Sequence, residues 1–227
     1  MPFPGLAERV REVRQRIDDA AVRGGHGQTV RIIAVTKTYG PDAVSAAVEA
    51  GVEDIGENRV HEALGKMDAT SVAVRWHLIG HLQRNKAKAA ARFDVVHSLD
   101  SMTLAAALNR VGQANGRRII VFAQVNVAGE RTKGGFTLVE MPAIADQLAG
   151  LEALEVRGVM TIAPMNADDA ALRGVFQGAQ AAACLFRTAG HPATELSMGM
   201  SNDFEVAVEE GATYVRLGTV LFGARPL

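Results

Sequence analysis

Lys37 is the residue whose place in the chain is best suited to chemistry. It follows Ile32-Ile33-Ala34-Val35, a short apolar run rich in β-branched residues, with only Thr36 between. Such a run reads as a strand buried on both faces, as in a parallel sheet. A lysine beside an apolar wall has its ammonium form disfavoured and becomes a better nucleophile toward an aldehyde. The plainer reading is a lysine that carries its charge out of a strand end. On this stretch alone the plainer reading is the better one. Two glycine-bearing stretches far along the chain change the balance: Ser197-Met198-Gly199-Met200-Ser201-Asn202 and Arg216-Leu217-Gly218-Thr219-Val220-Leu221-Phe222-Gly223. Gly199 and Gly218 let backbone N–H groups approach an anion, and Ser201 and Thr219 add hydroxyls. Each stretch also opens a helix, whose first N–H groups favour negative charge. Singly, each glycine reads as a turn or a cap; together, facing one lysine, they favour a phosphate-bearing aldehyde as ligand.

The elements that must position these residues follow from periodicity and punctuation. Leu6, Val10, Val13 and Ile17 recur every three or four residues and predict an amphipathic helix over about 4–23, closed by Gly24-Gly25. After the Lys37 strand, Gly40-Pro41 opens a helix with Val44 and Val48 inward and Gly51 as its stop. Strands are expected over 52–56, 75–80, 93–98, 118–127, 155–162, 194–198 and 213–217. Helices are expected from Glu57-Asn58, near 85–92, after a cap at Asp100 or Ser101, over 137–150 with Pro142 in its first turn, over 166–189, and from Asn202 with Glu205 as capping partner. Ala50-Gly51-Val52-Glu53-Asp54-Ile55-Gly56 and Glu210-Gly211-Ala212-Thr213-Tyr214-Val215-Arg216 echo each other as helix stop, then strand. Eight strands alternating with helices over 227 residues predict a single (β/α)8 barrel domain, 1–227, with an extra N-terminal helix. A doubly wound open sheet is the alternative.

In a barrel the residues after each strand converge on one mouth, and phosphate is often held by the loops after strands seven and eight. Lys37, Asn58 and His77 follow or end the first three strands, and the two glycine stretches follow the last two. Pyridoxal 5′-phosphate (PLP) has the matching parts: an aldehyde for Lys37, a phosphate for the glycine loops, and a flat ring between. Its ring nitrogen needs a partner, and Arg216 ends strand eight. His77 or Asn58 can lie against the ring; a core imidazole bonded to backbone is nearly as good a reading of His77.

The strings Thr36-Lys37-Thr38, Gly56-Glu57-Asn58, Trp76-His77-Leu78-Ile79-Gly80-His81-Leu82-Gln83, Leu196-Ser197-Met198-Gly199-Met200-Ser201 and Val215-Arg216-Leu217-Gly218-Thr219 resemble the pyridoxal phosphate homeostasis protein family. That family is similar to the barrel domain of alanine racemase. The resemblance covers nearly the whole chain in order. It implies PLP as a Schiff base on Lys37, a ring nitrogen facing Arg216, and phosphate held by Ser201, Gly218 and Thr219. Asn58, His77 and Met198 would line the pocket. Storage of the cofactor and hand-over to apo PLP-dependent enzymes are the implied role and partners. The stretch Asn126-Val127-Ala128-Gly129-Glu130-Arg131-Thr132-Lys133-Gly134-Gly135-Phe136 matches the family's glycine-bearing loop less tightly.

Composition narrows the alternatives. Apolar residues make up 48% and charged residues 22%, and 24 Lys+Arg against 25 Asp+Glu leave a net charge of −1. Nothing there favours a nucleic-acid or membrane-surface partner. One cysteine, Cys184, excludes an internal disulfide and is expected as a small buried hydrophobe in a reducing cytosol. With no apolar run near the ~20 residues of a membrane span and no signal-peptide plan at Met1-Pro2-Phe3-Pro4, a cytoplasmic protein, monomeric by preference, is expected. No His/Cys/carboxylate spacing suggests a metal. Arg84, Lys86 and Lys88 read as a solvated face. A PLP-dependent racemase and a Schiff-base lyase of aldolase type are the competing readings. An arginine at the ring nitrogen would keep it unprotonated and weaken the cofactor as an electron sink, which favours carriage over catalysis.

Overall fold

The structure is a computed structural model and describes residues 3–130 and 134–223. Arg131, Thr132 and Lys133 of the glycine-bearing loop, and Met1 and Pro2, lie outside the described residues. Eight parallel strands close into a barrel in chain order. They are β1 (Arg31–Val35), β2 (Asp54–Glu57), β3 (Arg75–Leu78), β4 (Val95–Leu99), β5 (Ile119–Gln124), β6 (Leu154–Met160), β7 (Glu195–Ser197) and β8 (Tyr214–Leu217). The barrel closes where β1 pairs β8, with Ile32 opposite Val215 and Ala34 opposite Leu217.

Helices α1 (Leu6–Gly24), α2 (Asp42–Glu49), α3 (Val60–Ala69), α4 (Met102–Ala114), α5 (Met141–Ala149), α6 (Asp169–Thr188), α7 (Phe204–Glu209) and α8 (Thr219–Phe222) accompany the strands. The extra helix α1 buries Leu6, Val10, Val13, Ile17 and Ala20 and ends at Gly25 in the left-handed region, whose N–H bonds Ala21 O. Each large aliphatic side chain so buried is worth about 1.5–3 kcal/mol. Alternation along each strand divides the core in two. Ile32, Ala34, Val215 and Leu217 join the helix-packed cluster, while Ile33, Val95, Phe122, Met160 and Tyr214 fill the barrel interior.

The echoed helix stops are alike in structure. Gly51 and Gly211 take φ of 85° and 90°. The next residues, Val52 and Ala212, each donate an N–H to the carbonyl five residues back, at 2.9 Å. Ser101 is the cap of α4, accepting from Leu104 N–H at 3.3 Å.

The helix expected near 85–92 is a 3₁₀ helix over Arg84–Arg92, its charged side chains solvated. Three local expectations need correcting. Glu57 does not open a helix; it closes β2 with its side chain fully buried. Asn202 and Glu205 form no capping pair: Asp203 precedes α7 and accepts Met200 N–H at 2.5 Å, while Glu205 meets Arg16. Cys184 is exposed, because it falls on the outer face of α6 beside the buried Ala182 and Ala183.

Candidate functional site

At the carboxyl end of β1 the chain reverses in a turn. Tyr39 N–H donates to Thr36 O at 3.1 Å, which puts Lys37 and Thr38 at the two central positions. Thr38 has φ of 72°, a conformation that a β-branched residue adopts at a cost of about 1–3 kcal/mol. Lys37 is half-buried and lines one cavity with Val35, Tyr39, Gly218 and Thr219. Its volume is about 20 Å³, room for one water-sized group, so it can grip only one end of a ligand.

The turn is held from beneath by charged residues that sequence reasoning did not single out. Lys66, on the buried face of α3, donates to Thr36 O at 2.6 Å, Glu57 Oε1 at 2.6 Å and Glu62 Oε1 at 3.0 Å. All three ammonium protons are thereby used, which leaves Lys66 no lone pair for an aldehyde. Thr36 Oγ1 donates to Glu57 Oε1 at 2.5 Å, and Thr38 N–H to Glu62 Oε1 at 2.5 Å. Burial pushes the Glu57 carboxyl up, with Lys66 and Thr36 opposing. The spacing of Glu62 and Lys66 is visible in the sequence, but the partner that matters, Thr36, lies thirty positions from Lys66.

Across the mouth, Ser201 Oγ accepts N–H groups from Gly218 at 3.4 Å and Val220 at 3.3 Å. That oxygen sits where two converging backbone donors can hold an anionic oxygen. Gly199 takes φ of 87°, and a Cβ there would meet Ala207 Cβ at 2.6 Å, so this glycine is required by turn geometry and close packing on α7. Arg216 on β8 is buried. It donates from Nη1 to Ser197 O (2.7 Å) and Ser197 Oγ (2.8 Å), and from Nη2 to Thr161 O (2.9 Å). Burial pushes its guanidinium down to about 10, with Asp203 opposing, so it remains a cation at neutral pH. These three bonds fix the plane of the fork and leave Nε–H and one Nη2 hydrogen for an acceptor in the barrel.

Asn58 is half-buried just past β2, where a Cβ on Gly80 would meet its backbone O at 2.3 Å. Two other expected pocket residues lie elsewhere. Met198 is fully buried and belongs to the helix-packed cluster, because its neighbour Ser197 takes the inward position. His77 does not reach the mouth. Its Nε2 bonds Asp54 Oδ1 at 2.9 Å and its Nδ1 meets His97 Nε2 at 2.8 Å. Its ring lies 5.7 Å from that of Tyr214, which is level with Arg31 at the start of β1. A β3 of four residues left the inward position nearer the mouth to Ile79, whose Cδ1 packs with Val35 against Gly56.

His77 is therefore a satisfied core imidazole. Burial alone would raise the Asp54 carboxyl, but bonds from Arg75 and His77 hold it well below the usual carboxylate range. Burial drives His97, stacked on Phe122, well below 6.5. A larger cavity of about 420 Å³ opens at the other end of the barrel, lined by Arg14, Asp18, Arg31, Glu53, Asp54 and Arg75 among others; no lysine lines it among the described residues. Among the described residues no group of His, Cys, Asp and Glu can hold a metal ion, and no helix is long and apolar enough to cross a membrane.

Residues 7–226 match the family described as alanine racemase, N-terminal domain. The pyridoxal phosphate homeostasis protein of Pseudomonas aeruginosa is 40% identical, over 97% of this chain and 96% of that one. The protein of the same name from Escherichia coli K12 is 36% identical, over 97% of each. The structure of PipY of Synechococcus elongatus with PLP bound superposes with a TM-score of 0.85 at 38% identity, covering 96% of this chain and all of that one. Alanine racemase from Corynebacterium glutamicum (TM-score 0.76, 18% identity, 99% of this chain and 62% of that one) shares the fold. The near relatives are named for homeostasis of the cofactor and not as enzymes. The chain belongs to the pyridoxal phosphate homeostasis protein family, built on the alanine racemase N-terminal barrel.

Proposed function

We propose that this chain binds PLP at the mouth of its barrel and serves to store the cofactor and hand it on, as a single-domain, monomeric, cytoplasmic carrier. The observation that supports this is the gathering of Lys37, Gly218 and Thr219 on one cavity. The donor set fits the group. Ser201 Oγ with the N–H groups of Gly218 and Val220 suits a phosphate oxygen, and the unused N–H groups of Arg216 suit a ring nitrogen. Asn58 borders the mouth, whereas Met198 and His77 are buried in the core.

PLP, when bound, supplies an aldehyde carbon that is open to an amine, and a ring that can accept electrons. Lys37 is the residue that would hold that aldehyde, its Nζ serving as the amine once neutral. Arg216 would set a fixed positive charge against the ring nitrogen, which would disfavour a proton there and weaken the ring as an electron sink. Tyr39, on the same cavity as Lys37, is the observation that keeps a racemase-like activity in the test, since a second acid/base group would be needed on the far face.

The experiment follows the α-proton of alanine in heavy water by NMR, with PLP-loaded protein. Carriage predicts little exchange over hours. Rapid exchange or racemisation would put the enzyme reading first. Transfer is read by adding an apo PLP-dependent enzyme and following the recovery of its activity.

A further inference from the structure

Glu57 and Lys66 form a buried ion pair that is poorly built for stability. Both side chains are within 4% of full burial and 2.6 Å apart, yet Glu57 Oε2 is buried with no hydrogen-bond partner among the described residues. A buried pair with an unsatisfied oxygen recovers little of its desolvation cost, and apolar groups of the same shape often do as well. What this pair does make is contact with one short piece of chain. Lys66 holds the carbonyl of Thr36 and Glu57 holds its hydroxyl, while Glu62, tied to Lys66, holds the N–H of Thr38. Lys37 lies between those two residues, and Thr38 is in a left-handed conformation that needs such restraint.

We propose that Glu57 and Lys66 are positioning residues for Lys37, a rigid cradle for the turn that fixes where its amine stands relative to the mouth. The proposal rests on the reading of Lys37 as the residue that takes the aldehyde. The cradle acts on the amine alone and not on the loops after β7 and β8, so it should discriminate ligands by their aldehyde. A ligand bonded to Lys37 gains from a preplaced amine; one that only fills the anion and ring contacts does not.

The test uses Glu57→Gln/Lys66→Met, which removes both charges at nearly constant shape, with pyridoxine 5′-phosphate as the ligand that lacks the aldehyde. The melting temperature is expected within about 4 °C of wild type. PLP affinity is expected to fall about ten-fold, while pyridoxine 5′-phosphate binds within about two-fold of wild type. In the protein without cofactor, hydrogen exchange of Tyr39 N–H should speed up at least about ten-fold as its bond to Thr36 O loosens. Thr36→Val, which removes one hydrogen bond and no charge, carries the test should the double variant not fold, and is expected to lower PLP affinity about three-fold with the same ligand pattern.

Equal losses for both ligands, or unchanged PLP affinity and unchanged Tyr39 exchange in a folded variant, would overturn the proposal. If wild type takes no PLP on Lys37, the cofactor reading itself fails. The exchange measurement still decides, separately, whether the pair holds the turn.

Discussion

At the scale of single residues, the site is a division of labour among two lysines, one arginine and two hydroxyls. Lys66 is saturated with three acceptors, and Lys37 alone of the two lines the cavity. On the proposed function, Ser201 and Thr219 hold the phosphate and leave the aldehyde to Lys37. Replacing both with Ala removes hydrogen bonds to an anion worth about 1.5–3 kcal/mol each, so PLP affinity should fall by about a hundred-fold or more. Pyridoxal, which has no phosphate, should bind as before. Equal losses in calorimetric titrations with the two ligands would assign Ser201 and Thr219 to the fold. Arg216 is less tolerant. Its cation holds the carbonyls of Ser197 and Thr161, so Arg216→Glu would turn a carboxylate onto two acceptors and should unfold the barrel at lower urea than wild type. That Lys37, Gly218 and Thr219 would meet was legible because residues just past the strands of a closed parallel barrel converge on one end. His77 was not, since a strand of four residues gives no alternation long enough to say how deep its inward face lies.

At the scale of elements, the strands are set by close approach and by charge in the barrel floor. Gly158 on β6 stands where a Cβ would come within 1.9 Å of Glu195 O on β7. Gly158→Ala therefore has to push β6 from β7 and should cost about 3 kcal/mol, the upper end of overpacking effects, read as a lower urea midpoint. The pairing of Asp54 with Arg75 and His77, and the neutral burial of His97, couple the floor to pH.

The signs are definite. His97 has its folded value depressed, so the unfolded chain takes up a proton first, and its contribution, full above about 6.5, is lost as pH falls below that value. Asp54 is also depressed, so its contribution is present above 3.8 and is lost only below it. Urea unfolding should show stability declining between about pH 6.5 and 5. His97→Gln, whose amide can donate to or accept from His77 and does not titrate, should flatten that limb. A variant as steep as wild type would remove His97 from the account. The helix stops at Gly51 and Gly211 and the Ser101 cap were readable from residue type alone. Asn202 and Glu205 had the right spacing for a capping box, but Asp203 offered the nearer carboxylate to Met200 N–H and Arg16 drew Glu205 away. A contact that crosses from α1 to α7 leaves no trace in local spacing.

At the scale of the whole molecule, one closed barrel brings residues 37, 57, 66, 201 and 218, dispersed along the chain, to the ends of strands that lie side by side. The order of the elements carried that architecture, because eight strand-and-helix repeats leave few ways to bury both faces of a parallel sheet. The clamp beneath the turn was beyond the sequence for the same reason: Glu57, Lys66 and Thr36 meet only once β1 and β2 are paired. The account's central claim is that Lys37 is the residue bonded to the cofactor. Borohydride reduction of the PLP-loaded protein, followed by proteolysis and mass spectrometry, tests it directly. The account predicts one pyridoxyl-phosphate adduct on the peptide carrying Lys37, absent from a folded Lys37→Ala variant. An adduct on Lys66, Lys86 or Lys133, or retention of the adduct in Lys37→Ala, would contradict it.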